Sequence, residues 1–426
     1  MRAALLAGAL LLAAGPCLRA EGPLETLDER LAYSSGDGEL RLRLSGTLDL
    51  EEYATEAPAP GLIVSDGREP LFVPRLSAFL DGQLGANLYV FGQVRADQGF
   101  DPGYGQQPEL RLAEYAVRFD LLGNGRLILQ LGKFAAMVGN WTPRHGSWQD
   151  PFITAPLPYQ NLTGIWDTTA ADTVPRILQW GHVIPFPASD VDAAKQRRLP
   201  LIWGPSYTAG AALIGDSGPL RYALEVKNGA LSSRPEQWSP VDRGWSHPAF
   251  DARLGVQPDE AWSLGVSAAE GPYLNEAAAP TVPPGRDFDA YREILLGQDA
   301  SYAWHHFQAW AELYEVRYEV PGVANADTAA YYLEARYTFA PRFSAALRWN
   351  QQLYAPLRIP AGFLPGSGLV QAHSQDWGSG VREVDLAPEY RLSAYIQLKV
   401  QLSLEQGLAA APGTIALAAT QLTLRW

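Results

Sequence analysis

The chain has 426 residues, a formal net charge of −13, 47% hydrophobic and 19% charged residues. This acidic balance excludes nucleic acid as a partner, because phosphate binding needs a basic surface. A single cysteine, Cys17, excludes a disulfide framework and a cysteine-held metal or haem.

The chain opens with Met1 and Arg2, then the apolar run from Ala3 to Gly15, then Leu18-Arg19-Ala20 before Glu21. This is the layout of an export signal over residues 1–20, cleaved after Ala20. Lipidation at Cys17 is the alternative, and Pro16 before it fits that poorly. Losing Arg2 and Arg19 takes the charge to about −15. Residues 21–37 are a short polar segment. Leu24, Leu27 and Leu31 have helical spacing, so a brief helix or a tail is expected.

From residue 38 to 426 the pattern is that of strands. Leu40, Leu42, Leu44, Leu48 and Leu50 alternate with Arg41, Arg43, Ser45, Thr47 and Asp49. The alternation returns at 88–95, 126–131, 220–227, 250–256, 331–337, 342–350 and 396–402. The last stretch, Ile415 to Trp426, alternates to the chain's end and stops on an aromatic residue. A strand with no loop after it must pair with something, and the first strand is the economical partner. No segment after the start approaches the ~18 apolar residues of a spanning helix.

The connections alternate short and long. Short ones fall near 84–86, 121–125, 215–219, 257–260, 304–306, 340–342 and 391–394. Long ones fall near 54–70, 97–109, 135–205, 229–248, 270–292, 319–328, 355–380 and 405–413. Seven short and eight long connections imply sixteen strands with both ends on the short-turn side. The fold class expected is therefore all-β: a transmembrane antiparallel up-and-down β-barrel, in one domain.

The segment Glu109 to Trp141 carries Ala113 and Tyr115, then Gly123-Asn124-Gly125, then Gly132-Lys133-Phe134. It resembles the hairpin of the phosphate-selective porin O/P-type family of outer-membrane porins. Arg221-Tyr222-Ala223 to Asn228-Gly229, and Glu334-Ala335-Arg336-Tyr337 before Pro341, are similar too. The resemblance implies location in the bacterial outer membrane, contact with its lipids, a homotrimer, a third loop folded into the lumen, and passive diffusion of small hydrophilic solutes or ions. It implies that residues 21–37 are periplasmic. The family's phosphate ladder is not matched residue by residue, so phosphate specificity is not carried over. Two alternatives stay open: a substrate-selective channel for an anion or a hydrophobic compound, and a scaffold barrel housing a partner protein.

The long connection 135–205 is where the constriction loop belongs. Its Trp141, Trp148, Tyr159, Trp166, Trp180 and Trp203 suit packing against an inner wall, with an outer cap as the alternative. Its candidate constriction residues are Arg144, Asp150, Asp167, Arg176, Lys195, Arg197 and Arg198, with Asp172, Asp190 and Asp192 nearby. The basic pore-lining candidates are Arg41, Arg43, Arg95, Arg118, Arg126, Lys227, Arg253, Arg336, Arg348 and Lys399. The acidic ones are Glu114, Glu225, Asp251 and Glu334, with Asp49, Asp299 and Glu312 on the same wall. Rings of one sign set selectivity in pores. Here the signs are mixed, so anion or cation preference is left open.

No enzymatic activity and no cofactor are expected. The six histidines lack metal-ligand spacing. His145-Gly146-Ser147 stands without a nucleophile elbow or an ordered triad. His305-His306 is expected at an interfacial turn, and Tyr53, Trp304, Trp349, Tyr354 and Trp426 suit aromatic girdles.

Overall fold

The computed structural model describes residues 21–55, 61–63, 70–97, 109–182, 195–239, 245, 247–359, 361–364, 368–408 and 413–426. The expected export signal, residues 1–20, lies outside the described residues, as do Asp190 and Asp192.

Alternation at period two does what it promised. Sixteen strands form one closed antiparallel barrel. They are β1 (Leu40–Thr55), β2 (Leu71–Leu84), β3 (Leu88–Asp97), β4 (Glu109–Asp120), β5 (Ile128–Phe134) and β6 (Thr208–Ser217). Then come β7 (Leu220–Lys227), β8 (Ala249–Val256), β9 (Trp262–Pro272), β10 (Arg292–Trp304) and β11 (Phe307–Val320). The last five are β12 (Ala324–Ala340), β13 (Phe343–Tyr354), β14 (Val381–Arg391), β15 (Ile396–Gly407) and β16 (Thr414–Arg425). Each strand pairs with the next, and β16 returns to β1 from Thr47↔Arg425 to Thr55↔Leu417.

The seam ends at Trp426. Its N–H donates to the Gly46 carbonyl (3.1 Å), and the Gly46 N–H donates back (3.2 Å). A Cβ on Gly46 would collide with the Trp426 indole. Beyond that point the stagger of the barrel leaves the start of β1 without a partner on one side. The three-residue strand Ala32–Ser34 fills it, pairing Ala32 with Arg43 and Ser34 with Arg41. The helix α1 (Glu21–Arg30) precedes it, so residues 21–37 form a helix plus a strand rather than a tail.

One connection differs from expectation. Residues 319–328 are not a long loop: β11 and β12 run on and meet through the turn 321–323. The alternation persists there, with Tyr318 and Ala326 fully buried inside. Gly322 sits so close to Asp172 that no Cβ would fit, so the tall hairpin packs on the long third loop. Arg126 belongs to the turn before β5, which begins at Ile128, and not to the wall.

The outward row is apolar: Leu296, Leu347 and Leu404 are 56%, 55% and 58% exposed. The inward row is polar, with Arg348, Asn350, Asp385 and Gln397 buried. That inversion of a soluble protein is the signature of a membrane barrel. At the short-turn end, Trp262 and Tyr302 pack at 4.6 Å, Tyr337 and Phe339 at 4.9 Å, and Trp304 is exposed beside His305. These form the interfacial girdle. Tyr53 and Tyr354 do not join it. They face inward, where Tyr53 donates to Glu51 (2.7 Å) and Tyr354 packs edge-on to Trp377.

Candidate functional site: the lumen and its loop

The third loop, residues 135–207, enters the barrel. Its described residues, 135–182 and 195–207, are mostly irregular, with a 3-10 turn (Thr142–Arg144), one α-helical turn, α2 (Leu157–Gln160), and one short helix, α3 (Val174–His182). A coil inside a protein must find partners for its N–H and carbonyl groups. The wall supplies them. Glu225 accepts from Met137 N–H (2.9 Å), and Glu312 accepts from the N–H groups of Asn140 and Trp141 (2.8 Å for the second). Gln401 accepts from Ile153 (2.7 Å) and Thr154 (3.1 Å). Cations serve the carbonyls. Lys399 donates to Ser147 and Asp150 and Arg348 to Thr154, while Lys227 donates to Phe134 and Thr208, the strand ends that bear the loop.

Aromatic packing completes the docking. Trp141, Tyr159, Trp203 and Tyr207 of the loop share one buried cluster with Tyr314, Tyr318 and Tyr332 of the wall. Trp141 and Tyr159 lie 4.3 Å apart, and Tyr159 donates to Glu312 (2.7 Å). Gly139 has φ +66°, and a Cβ there would meet Glu312 and the Tyr314 hydroxyl. The loop is thus a core element of the lumen, not an outer cap.

What stays open lies at the short-turn end, mainly against β1 to β4 and, in a second space, against β5 to β8. A cavity of about 720 Å³ at the short-turn end has Arg43, Arg75, Arg95 and Arg118 on its wall, with Asp49, Asp81 and Glu114 among them. The loop faces it with Pro143 and residues 145–149, which carry no formal charge. A second cavity of about 450 Å³ adjoins it and shares Glu114, Arg118, Pro143 and His145. Further toward the loop end, a small pocket of about 50 Å³ lies between Glu51, Arg75, Arg95, Asp97 and the loop's Ile153 to Ala155. Arg75 pairs there with Asp49 (3.2 Å) and Glu51, and Arg95 with Asp97 (2.7 Å).

The candidates from sequence divide into groups. Arg43 and Arg118 face the large cavity with Arg95 and Glu114. Arg41 is exposed at the short-turn end, paired with Ser34 in the added strand. Arg253 borders the second cavity and pairs with Asp299 (2.6 Å). Lys227, Glu225, Arg348, Lys399 and Glu334 face inward but are buried against the loop, and Asp251 is buried beside Glu225. Arg336 is engaged with Glu389 (2.8 Å). Within the loop, Arg144 pairs with Glu334 (2.7 Å) and lies over Trp310. Asp150 accepts from the Trp141 indole (2.8 Å), and Asp167 pairs with Arg234 (2.8 Å). Burial raises the Asp167 carboxyl above its usual range despite that arginine. Arg176 pairs with Asp172 near the surface, Lys195 donates to the Ile63 carbonyl, and Arg197 covers Trp166. Arg198 bridges to Trp166 through the backbone.

Sequence reasoning missed Arg75 and Asp81, because Pro74 hides the alternation of β2. The signal was there: Val73, Arg75, Ser77, Phe79, Asp81 and Gln83 follow one another at period two. His145 is held within the loop. Its Nδ1 contacts the Thr142 carbonyl (2.5 Å), so that nitrogen carries the proton, and its Nε2 meets the Tyr207 hydroxyl (2.8 Å). Burial pulls its pKa down to about 4, which keeps the ring neutral at pH 7.

No protein-family model and no curated protein sequence matches the chain. Solved structures do. The anion-selective porin from Comamonas acidovorans aligns at TM-score 0.54 and 11% identity, covering 91% of this chain and 100% of that one. OmpF of Salmonella typhi, solved with daunomycin, aligns at 0.53 and 12%, covering 92% and 100%. OmpT of Vibrio cholerae in its trimer form aligns at 0.53 and 9%, covering 91% and 99%. At such identities the likeness speaks for the fold: this chain is a sixteen-stranded antiparallel transmembrane β-barrel with the architecture of the outer-membrane porins.

Proposed function

We propose that the protein is an outer-membrane channel for passive diffusion of small hydrophilic solutes or ions, exported by residues 1–20 and assembled as a homotrimer. The observation that carries this reading is the charged, water-accessible space left beside the docked loop, about 720 Å³ at the short-turn end. A scaffold barrel would need no such lining. Arginines and carboxylates stand in that lining beside Phe79, Phe91 and Trp148, and the charges disfavour a path for hydrophobic compounds. The ion-paired cluster of Arg75 with Asp49 and Glu51 and of Arg95 with Asp97 supports a second reading, a channel selective for one class of solute.

The test is conductance of the folded, heat-modifiable barrel in a planar bilayer under a salt gradient. Stable steps in threes, small for a sixteen-stranded barrel, are expected, and the reversal potential gives the ion preference. A folded barrel that passes no current in any salt would overturn the channel reading.

A further inference from the structure

We propose that the junction of the two short-turn-end cavities is a binding site for small 2-hydroxycarboxylates, built by Arg118, Gln130 and Thr142. This deepens the channel reading by naming a solute class, and it rests on that reading only for its role in transport.

Arg118 on β4 and Gln130 on β5 are a cross-strand pair facing the lumen. The Arg118 Nε donates to Gln130 Oε1 (2.5 Å). That bond fixes which end of the amide is the acceptor, so Gln130 Nε2 is the free donor. It is buried, with the residue 1% exposed, and has no hydrogen-bond partner. Yet Gln130 borders the cavity of about 450 Å³. A buried donor without an acceptor is costly, so a site that leaves one beside open space is built to receive an acceptor.

Two further observations converge there. Thr142, from the loop side of the same cavity, is 4% exposed and its Oγ1 also has no partner. Arg118 has no ion pair with a carboxylate among the described residues, unlike Arg75, Arg95 and Arg253. Its guanidinium lies over Phe91 at 4.8 Å, which holds the plane still. Glu114 is the acid at this junction, and the Ala135 N–H engages it (3.1 Å). Neutral His145 adds no charge.

The donor set names the ligand. A guanidinium and an amide N–H side by side match the two oxygens of a carboxylate, as a planar fork does. The Thr142 hydroxyl can donate or accept, which suits an adjacent alcohol. A guanidinium engages phosphate as readily as carboxylate, so the Thr142 contact to the adjacent alcohol is what distinguishes the 2-hydroxycarboxylate.

The test uses the refolded full barrel and sodium glycolate, by calorimetry in detergent at fixed ionic strength. A saturable heat is expected, with phosphate binding more weakly. Gln130→Leu and Thr142→Val should each weaken glycolate about tenfold. Arg118→Lys keeps the charge but loses the fork, and should weaken it as well. Heat-modifiable migration verifies folding of each variant. No saturable heat from the folded wild-type barrel, or glycolate binding unchanged in both Gln130→Leu and Thr142→Val, would overturn the site. A barrel that binds glycolate yet passes no current sinks the channel and keeps the site. One that conducts without binding glycolate does the reverse.

Discussion

Glu312 is the position where one change tests the docking of the loop. Its carboxylate, 2% exposed, accepts from Asn140 N–H, Trp141 N–H (2.8 Å) and the Tyr159 hydroxyl (2.7 Å). Glu312→Ala leaves three buried donors without an acceptor. At about 1.5–3 kcal/mol for each bond to a charged group, the loss is roughly 4.5–9 kcal/mol. The barrel ladder does not depend on those bonds, so the cost falls on the loop, which can recover it by swinging into water. Glu312→Gln keeps an acceptor oxygen for the backbone and an amide for the tyrosine, so it should cost about 1–2 kcal/mol. The assay pairs channel conductance with protease mapping. Glu312→Ala should conduct more, with noisier steps, and be cut between residues 140 and 160 while its heat-modifiability stays intact. Glu312→Gln should stay near wild type. If both variants keep wild-type conductance and protection, the carboxylate does not hold the loop and the reasoning fails.

Arg75→Ala removes the cation that pairs with Asp49 and Glu51, whose side chains are 1% and 2% exposed. The reversal potential in a salt gradient should move toward cations. Gly46→Leu places a side chain where the Trp426 indole lies, so the seam should fail to close, read as loss of heat-modifiable migration. His145 provides a pH test. Its folded pKa is about 4 and its released value is about 6.5, so the released loop binds more protons. Docking should therefore weaken as pH falls through 6.5 and level off below about 4. Hydrogen exchange of residues 140–150, corrected for intrinsic rate, checks this, and His145→Asn should flatten the dependence.

The barrel was legible because period two is a local property. Leu40 to Leu50 and Ile415 to Trp426 each declare two faces without any neighbour, and the sorting of loop lengths gives the topology. The exception, 319–328, shows the limit. Pro321 and Gly322 mark a turn equally well in a long loop or a tight hairpin. What decides is contact with Asp172, some 150 residues away in sequence. The site was less legible for the same reason. Lys227, Arg348 and Lys399 show as inward cations, and nothing in their own segments says that a loop will cover them. Arg118 and Gln130 stand in adjacent strands, yet their engagement depends on the register that pairs them.

That register also explains why the wall carries both signs. Acids and amides on it meet N–H groups of the loop: Glu225 meets Met137, Glu312 meets Asn140 and Trp141, and Gln401 meets Ile153 and Thr154. Cations meet its carbonyls: Lys399 at Ser147 and Asp150, Arg348 at Thr154, while Lys227 holds Phe134 and Thr208 at the strand ends from which the loop leaves and returns. A buried charge is costly to desolvate, and each of these is compensated by a coil backbone that would otherwise lack partners. Half of the lumen is thus organised as the interior of a soluble protein with its backbone bonds made by side chains. Counting charges around such a wall cannot give an ion preference, because most of them never meet the solute. The residues that do line the two short-turn-end cavities, on β1 to β4 and, around Gln130, Arg221 and Arg253, on β5 to β8. Selectivity therefore belongs to one sector of the barrel, and substitutions at Arg75 and Arg118 should move it where substitutions at Lys227 and Lys399 loosen the loop instead.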